Sequence, residues 1–145
     1  MTEILAKESI VAAGTARTMG EAIREAGELL VRAGAVEPAY IDSMEDRERT
    51  MSTYMGNFLA IPHGTNAAKA TIRRSAMSLV RYADPIDWGG RGQVHVVIGI
   101  AGIEDEHLGM LSKVALVFSD LDEATRMRDA TTVEEIADLL ASVNG

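Results

Sequence analysis

The chain of 145 residues is long enough to bury a substantial hydrophobic core, which predicts one domain over residues 1–145. Its formal net charge of −8 disfavours binding to nucleic acid, because a phosphate backbone attracts clustered Lys and Arg side chains. The sequence contains no cysteine, which excludes disulfides, thiolate metal ligands and a thiol nucleophile.

Membrane insertion and export are also not indicated. No apolar run approaches the roughly 20 residues that a membrane-spanning helix needs. The first seven residues lack the basic start and apolar stretch of a secretory signal. We therefore expect a cytoplasmic location.

The first elements of the chain are a short strand and two helices. Residues 8–12 contain an apolar pair that favours a strand. Thr18 and Glu21 have the spacing of a capping box, and the apolar residues after them recur at intervals of three or four. This pattern predicts a helix that ends at Gly34 and a second helix that begins at Pro38.

Strands and a short helix are predicted in the middle of the chain. Residues 66–72 predict the helix, and residues 76–82 predict a strand that ends at an Asp84-Pro85 turn. A brief pairing is expected at residues 86–88. The β-branched, nearly continuous apolar run at 95–101 is typical of a buried strand.

Two helices complete the chain. The first is predicted over residues 106–118, and the second begins at Thr132, which has a capping-box partner in Glu135. The core-facing residues of the first helix are predicted to be Leu108, Leu111, Ala115 and Phe118. This alternation of strands and helices is typical of an α/β layered domain.

His63 lies in the most informative segment of the sequence. Residues 58–61 predict a buried strand, Pro62 ends its hydrogen-bond ladder because it has no N–H, and Gly64 permits a sharp turn. We therefore expect His63 on a loop at the mouth of the sheet. Its imidazole is a usable nucleophile near neutral pH, because much of it is unprotonated there. A loop histidine without a chemical role is the alternative.

The other two histidines differ in their predicted surroundings. His107 is expected at the start of a helix, after the acidic loop of residues 104–106, where the helix N-terminus favours an anion. An incidental first-turn residue is the alternative. His95 lies inside a predicted strand and is interpreted as structural.

Several separate motifs resemble one protein family. They are residues 40–49, 53–56, 60–65 with Lys69, and 97–101 followed by 106–108. Their order and spacing resemble the IIA component of the bacterial phosphoenolpyruvate-dependent sugar phosphotransferase system, of the mannitol/fructose type, over nearly the whole chain. The resemblance implies the fold of a mannitol-type IIA protein, a mixed β-sheet flanked by α-helices.

The resemblance implies roles for three residues. His63 would be phosphorylated, His107 would hydrogen-bond the phosphoryl oxygens, and Arg47 would offset charge during transfer. An arginine suits that role because its planar guanidinium can meet two phosphoryl oxygens at once. From the residues alone, a surface-helix arginine is the alternative for Arg47.

The resemblance also implies partners. His63 would accept a phosphoryl group from the carrier protein HPr and pass it to a IIB domain during uptake of mannitol, a related polyol or fructose. No cofactor or metal is expected, because the donor is already a phosphorylated protein. The sequence also lacks the Gly-rich loop with Lys-Ser or Lys-Thr that a P-loop nucleotide site needs.

Basic residues on both sides of His63 would make a local positive site if the fold brought them together. For four of them the preferred interpretation is a solvated helix charge: Arg49, Lys69, Arg73 and Arg74.

Three other functions remain open. A nitrogen-type regulatory IIA protein would use the phosphorylation state of the same histidine to control other proteins. A hydrolase with a histidine-centred metal or acid–base site would need a ligand pair such as His-Glu-x-x-His, which the sequence lacks. In an interaction module, the histidines would be merely structural.

Overall fold

One mixed β-sheet organises the fold of the computed structural model, which describes residues 4–103 and 106–144. Its strands are β1 (Ile10–Val11), β2 (Tyr54–Gly56), β3 (Leu59–Ala60), β4 (Ala76–Asp87) and β5 (Gln93–Ala101). They form a five-stranded sheet in the order β1-β4-β5-β3-β2. The β1–β4 and β3–β5 pairs are parallel, whereas β2–β3 and β4–β5 are antiparallel. The α/β class and the mixed sheet are confirmed.

Helices cover both faces of this sheet. They are α1 (Met19–Arg32), α2 (Ala39–Thr50), α3 (Glu106–Phe118), α4 (Leu121–Asp129), α5 (Val133–Leu139) and α6 (Ala141–Asn144). The helices α1 and α2 share one core with the sheet, and α3 to α6 share the other. Neighbouring β5 residues Val97 and Ile98 point into different cores, as the two-residue period of a strand requires.

The first helix begins where its capping box predicts. The Thr18 hydroxyl accepts the N–H of Glu21 at 3.2 Å, and the Glu21 carboxylate accepts the N–H of Arg17 at 2.9 Å. Gly34 follows the helix with φ of +77°, a left-handed conformation that glycine adopts at little cost. Pro38 immediately precedes α2, so the helix begins one residue later than predicted.

Two predicted strands differ from the observed ones. Residues 8–12 contribute only the two residues of β1, which follow a short 3-10 helix at Lys7–Ser9. The predicted Asp84-Pro85 turn is wrong, because β4 continues through it to Asp87. A register shift between Arg81 and Ile86 interrupts the ladder there, which accommodates a proline without an N–H to donate.

The predicted inward face of α3 is only partly right. Phe118 is buried as predicted, but the other buried residues of α3 are Met110 and Val114, and Leu108 is 69% exposed. The apolar residues at four-residue spacing, Met110, Val114 and Phe118, pack into the core with residues of the sheet. Leu108 and Leu111 instead line a depression beside His63. Three elements, β2, α4 and α6, were not predicted.

None of the helices in the described part of the chain combines the length and apolar character that crossing a membrane requires.

Candidate functional site

His63 follows β3 at the mouth of the sheet, on the predicted loop. It forms a parallel bridge with Ile100 of β5, and the Ile100 N–H donates to the Pro62 carbonyl at 3.0 Å. The Nδ1 atom of His63 lies 2.9 Å from the carbonyl oxygen of Ile61. Because a carbonyl can only accept, Nδ1 carries the proton in this hydrogen bond. The lone pair of the neutral ring is therefore on Nε2.

Tyr40 ties the residue after His63 to the sheet. Its hydroxyl donates to the Ile100 carbonyl at 2.8 Å and accepts the N–H of Gly64 at 2.8 Å. Burial raises the pKa of Tyr40 to about 12, so the hydroxyl keeps the proton that it donates. A Cβ on Gly64 would lie 2.5 Å from both the Tyr40 ring and the Ser43 hydroxyl, so this close approach requires glycine.

His107 lies opposite His63. Their ring centroids are 5.0 Å apart and the planes meet at 63°. Gly102 allows the start of α3 to come this close to the end of β5, because a Cβ there would lie 2.5 Å from the Cα of His107. Residues 104 and 105 of the predicted acidic loop lie outside the described residues, and Glu106 accepts a hydrogen bond from the Ser75 hydroxyl at 2.8 Å.

Arg47 projects from the last turn of α2 toward the two histidines. Its Nη1 donates to the carbonyl of Met51 at 2.5 Å. Arg47 lines a depression of about 420 Å³ together with both histidines and Lys69. We call this the His63 depression; its rim also includes the exposed Leu108.

The electrostatics of the His63 depression favour neutral imidazoles. Burial lowers the pKa of His63, the bond to Ile61 opposes this shift, the charge of Arg47 lowers the pKa further, and the charge of Glu48 raises it. Burial also lowers the pKa of His107, and His63, Lys69 and Arg47 add to the effect. At neutral pH the site therefore holds two uncharged rings beside two cations, an arrangement suited to an anion.

The remaining basic residues have other partners. Arg49 pairs with Asp46 on the surface of α2, and Arg74 donates to the carbonyl of Ala33 at 2.7 Å. The interpretation as a solvated helix charge fits Arg49, but it is wrong for Arg74, which is half-buried and lies outside the helices. Lys69 differs, because it lines the His63 depression.

His95 has the structural role that the sequence predicts. Its Nδ1 lies 2.9 Å from the carbonyl oxygen of Tyr82, and its ring packs edge-on against Phe58 at 5.8 Å between centroids. Across residues 4–103 and 106–144, no group of three or more His, Asp or Glu side chains is placed to hold a metal ion.

The sequence of the chain matches the model of the family described as "Phosphoenolpyruvate-dependent sugar phosphotransferase system, EIIA 2" over residues 3–143. The chain belongs to this EIIA 2 family. The predicted resemblance is thereby confirmed, and with it the class of the protein as a component of a phosphotransferase system.

Similar proteins place this EIIA 2 chain among mannitol-type members. It is 48% identical over 141 residues to the mannitol-specific phosphotransferase enzyme IIA component of Halalkalibacterium halodurans, with 97% of each chain covered. The corresponding component of Geobacillus stearothermophilus gives the same identity and coverage.

A solved structure shows a similar protein with a partner. The complex of enzyme IIA mannitol with phosphorylated enzyme IIB mannitol from Escherichia coli matches with a TM-score of 0.89 and 34% identity, covering 94% of this chain and 96% of that chain. That protein thus docks a phosphorylated IIB partner.

In this EIIA 2 chain, three residues that the sequence resemblance selected lie in one depression: His63, His107 and Arg47. Sequence reasoning did not find the role of Tyr40, although the residue begins the 40–49 motif. Its hydroxyl bonds join residues that are 24 and 60 positions away, and no local pattern indicates such contacts.

Proposed function

We propose that this EIIA 2 chain is the phosphocarrier of a mannitol uptake system, and that Nε2 of His63 carries the phosphoryl group. The observation that supports this most directly is the hydrogen bond from Nδ1 to the Ile61 carbonyl. It leaves the Nε2 lone pair free beside the His63 depression.

Transfer needs no external acid or base when the donor ring, like His63, keeps a proton on its other nitrogen, because the two rings then exchange a phosphoryl group and no proton. The Nε2 lone pair forms the new N–P bond while the N–P bond of the phosphorylated HPr histidine breaks, and its electron pair returns to the donor ring. The proton stays on Nδ1 of His63 throughout and remains hydrogen-bonded to the Ile61 carbonyl. Because the chemistry is an in-line exchange, positioning and charge stabilisation supply most of the acceleration.

Three side chains supply that stabilisation. His107 donates a ring N–H to a phosphoryl oxygen, and Arg47 and Lys69 offset the negative charge. Arg47 is bonded only to a backbone carbonyl among the described residues, apart from a long contact to the Met51 sulfur, so its guanidinium retains donors for phosphoryl oxygens.

The proposed donor is phosphorylated HPr, and the proposed acceptor is the IIB domain of a membrane sugar permease. The Escherichia coli complex of a similar IIA protein with phosphorylated enzyme IIB supports the choice of acceptor. The exchange takes place in the cytoplasm and requires no metal or nucleotide. Mannitol is favoured over a regulatory role, because the relatives at 48% identity are mannitol-specific components.

Phosphoryl labelling tests the proposal. The purified protein is mixed with phosphoenolpyruvate, enzyme I and HPr, and its intact mass is followed over time. The wild type is expected to gain one acid-labile phosphoryl group, and His63→Ala none. His95→Ala is the matched control, because it removes a histidine bonded to a different carbonyl, and it should be labelled like the wild type.

Two results would contradict the proposal. The carrier function fails if the wild type gains no phosphoryl group even with HPr from the same organism. The assignment of His63 fails if the folded His63→Ala protein is still labelled. Subsequent addition of a mannitol IIB domain should remove the group from the wild type.

A further inference from the structure

Glu48 is a buried carboxylate that does not line the His63 depression. It lies on the last turn of α2 next to Arg47, and only 8% of its surface is exposed. No ion pair to Glu48 is found among the described residues. Its charge is instead stabilised by hydrogen bonds from three donors, which belong to Thr53 and Trp88.

These donors surround both carboxylate oxygens. The backbone N–H of Thr53 lies 3.2 Å from Oε1 and 3.0 Å from Oε2, and the Thr53 hydroxyl lies 2.5 Å from Oε1. The indole N–H of Trp88, the sole tryptophan, donates to Oε2 at 3.1 Å. An ionised carboxylate, which only accepts, satisfies all three donors.

A continuous series of hydrogen bonds leads from Glu48 to His63. Glu48 holds the backbone of Thr53 through the Thr53 N–H. The Thr53 carbonyl accepts the N–H of Ile61 at 3.0 Å. The carbonyl of the same Ile61 accepts the proton from Nδ1 of His63 at 2.9 Å. The N–H and the carbonyl of Thr53 belong to two peptide groups joined at one Cα, and the same holds for Ile61. Each bond therefore restrains the residue that makes the next one, and a displacement of Thr53 would shift the Ile61 carbonyl.

We propose that Glu48 is a positioning residue for phosphoryl transfer: through Thr53 and Ile61, it holds His63 in the tautomer that presents Nε2 to the donor. The expected effect on the rate of transfer rests on the proposed function, whereas the tautomer of His63 can be measured without any partner protein. Glu48 does not touch the phosphoryl group; it acts through the backbone.

The negative charge of Glu48 affects His63 in a second way, separate from the hydrogen bonds. The charge raises the pKa of His63, whereas the charge of the neighbouring Arg47 lowers that pKa. Glutamine separates the two effects. Its amide oxygen can accept from Trp88 and the Thr53 N–H, and its amide nitrogen can donate to the Thr53 hydroxyl, so Glu48→Gln retains the contacts and loses the charge. Glu48→Ala loses both and leaves two N–H donors without partners.

The test combines NMR of the histidine ring nitrogens with labelling kinetics. In the wild type, long-range 1H–15N spectra should show Nδ1–H for His63. In Glu48→Ala the Nε2–H tautomer should appear, and the maximal labelling rate should fall about tenfold to a hundredfold, with the KM for phospho-HPr within about twofold. Glu48→Gln should keep the Nδ1–H tautomer and most of the rate, with a lower His63 pKa.

Glu25→Ala is the matched control for a general loss of stability. The Glu25 carboxylate also receives hydrogen bonds from two backbone N–H groups and an aromatic residue: Thr15, Ala16 and Tyr82. None of these belongs to the series that reaches His63. The control variant should therefore keep both the His63 tautomer and the labelling rate.

Thr53→Val keeps the proposal testable if Glu48→Ala does not fold. It removes only the hydroxyl bond at 2.5 Å and should slow labelling about fivefold. The proposal is overturned if folded Glu48→Ala or Thr53→Val keeps the wild-type tautomer and rate. It is also overturned if Glu25→Ala changes the His63 tautomer as much as Glu48→Ala does. A wild type that shows Nδ1–H but no labelling would count against the carrier function and leave the tautomer result standing.

Discussion

At the scale of single residues, the proposed function gives the two histidines of the depression different tasks. In it, His63 forms the covalent bond, whereas His107, whose ring centroid lies 5.0 Å away, supplies a donor to the transferred group. We expect His107→Ala to retain one phosphoryl group per molecule at long times, but to acquire it about tenfold to a hundredfold more slowly, because one preorganised donor is lost. Quenched time courses of intact mass at saturating phospho-HPr measure the rate.

His107→Gln serves as the graded control for this prediction. A glutamine retains a side-chain N–H near the same place, so its rate should fall between those of His107→Ala and the wild type. If folded His107→Ala stays unlabelled at all times, as His63→Ala is expected to, the division of tasks between the two residues is wrong.

At the scale of elements, the spacing of the histidines depends on how α3 meets the end of β5. A Cβ on Gly102 would lie 2.5 Å from Cα and 2.9 Å from the backbone nitrogen of His107, and backbone atoms cannot rotate away. Gly102→Ala should therefore displace the start of α3, reduce the free energy of unfolding by about 1–3 kcal/mol and slow labelling. Urea unfolding and labelling kinetics measure the two effects.

Gly109→Ala is the control within the same helix. A Cβ at Gly109 would meet nothing within 4 Å, so the substitution changes only helix propensity. It should stabilise the protein by up to about 1 kcal/mol and leave the labelling rate unchanged. A Gly102→Ala protein with wild-type stability and rate would show that α3 tolerates the displacement.

Elements with strong local signals were predictable, and elements that depend on tertiary pairing were not. The capping box of Thr18 predicted the start of α1, because the bond to Glu21 is local. The helix α4 was missed because its buried apolar side chains are few, Ala124 and Met127. Its signal was the Asp120 cap, whose carboxylate accepts from the N–H groups of the first turn.

At the scale of the whole molecule, the site was predictable only in part, because the fold brings its residues together from distant parts of the chain. His63, His107 and Arg47 lie on separate segments, and only the family motifs related them in the sequence. The sheet order places β3 beside β5, so the ends of these strands bring His63 next to the start of α3. The bond from Nδ1 to Ile61, and Glu48 behind it, depend on backbone directions that composition and spacing do not specify.

We expect His63 and His107 to govern how the stability of the whole molecule changes with pH above pH 5. Burial holds the pKa of both His63 and His107 below the ordinary value of 6.5. As the pH falls through 6.5, the unfolded chain binds protons that the folded protein does not, so the free energy of unfolding decreases. For His63, this decrease in the free energy of unfolding is at most about 1.4 kcal/mol per pH unit, and for the half-exposed His107 it is smaller.

The net charge of −8 acts in the opposite direction, because protonation relieves self-repulsion in an acidic protein. A difference between variants isolates the histidine contribution from this background. In urea unfolding at pH 7.5, 6.5 and 5.5, His63→Gln should lose less stability toward pH 5.5 than the wild type. Gly20→Ala, which alters no titratable group and whose Cβ meets nothing within 4 Å, should give a curve parallel to the wild type. If the His63→Gln curve is also parallel, His63 is not held neutral by the fold, and the preference of the site for a neutral nucleophile has to be explained by the bound partner instead.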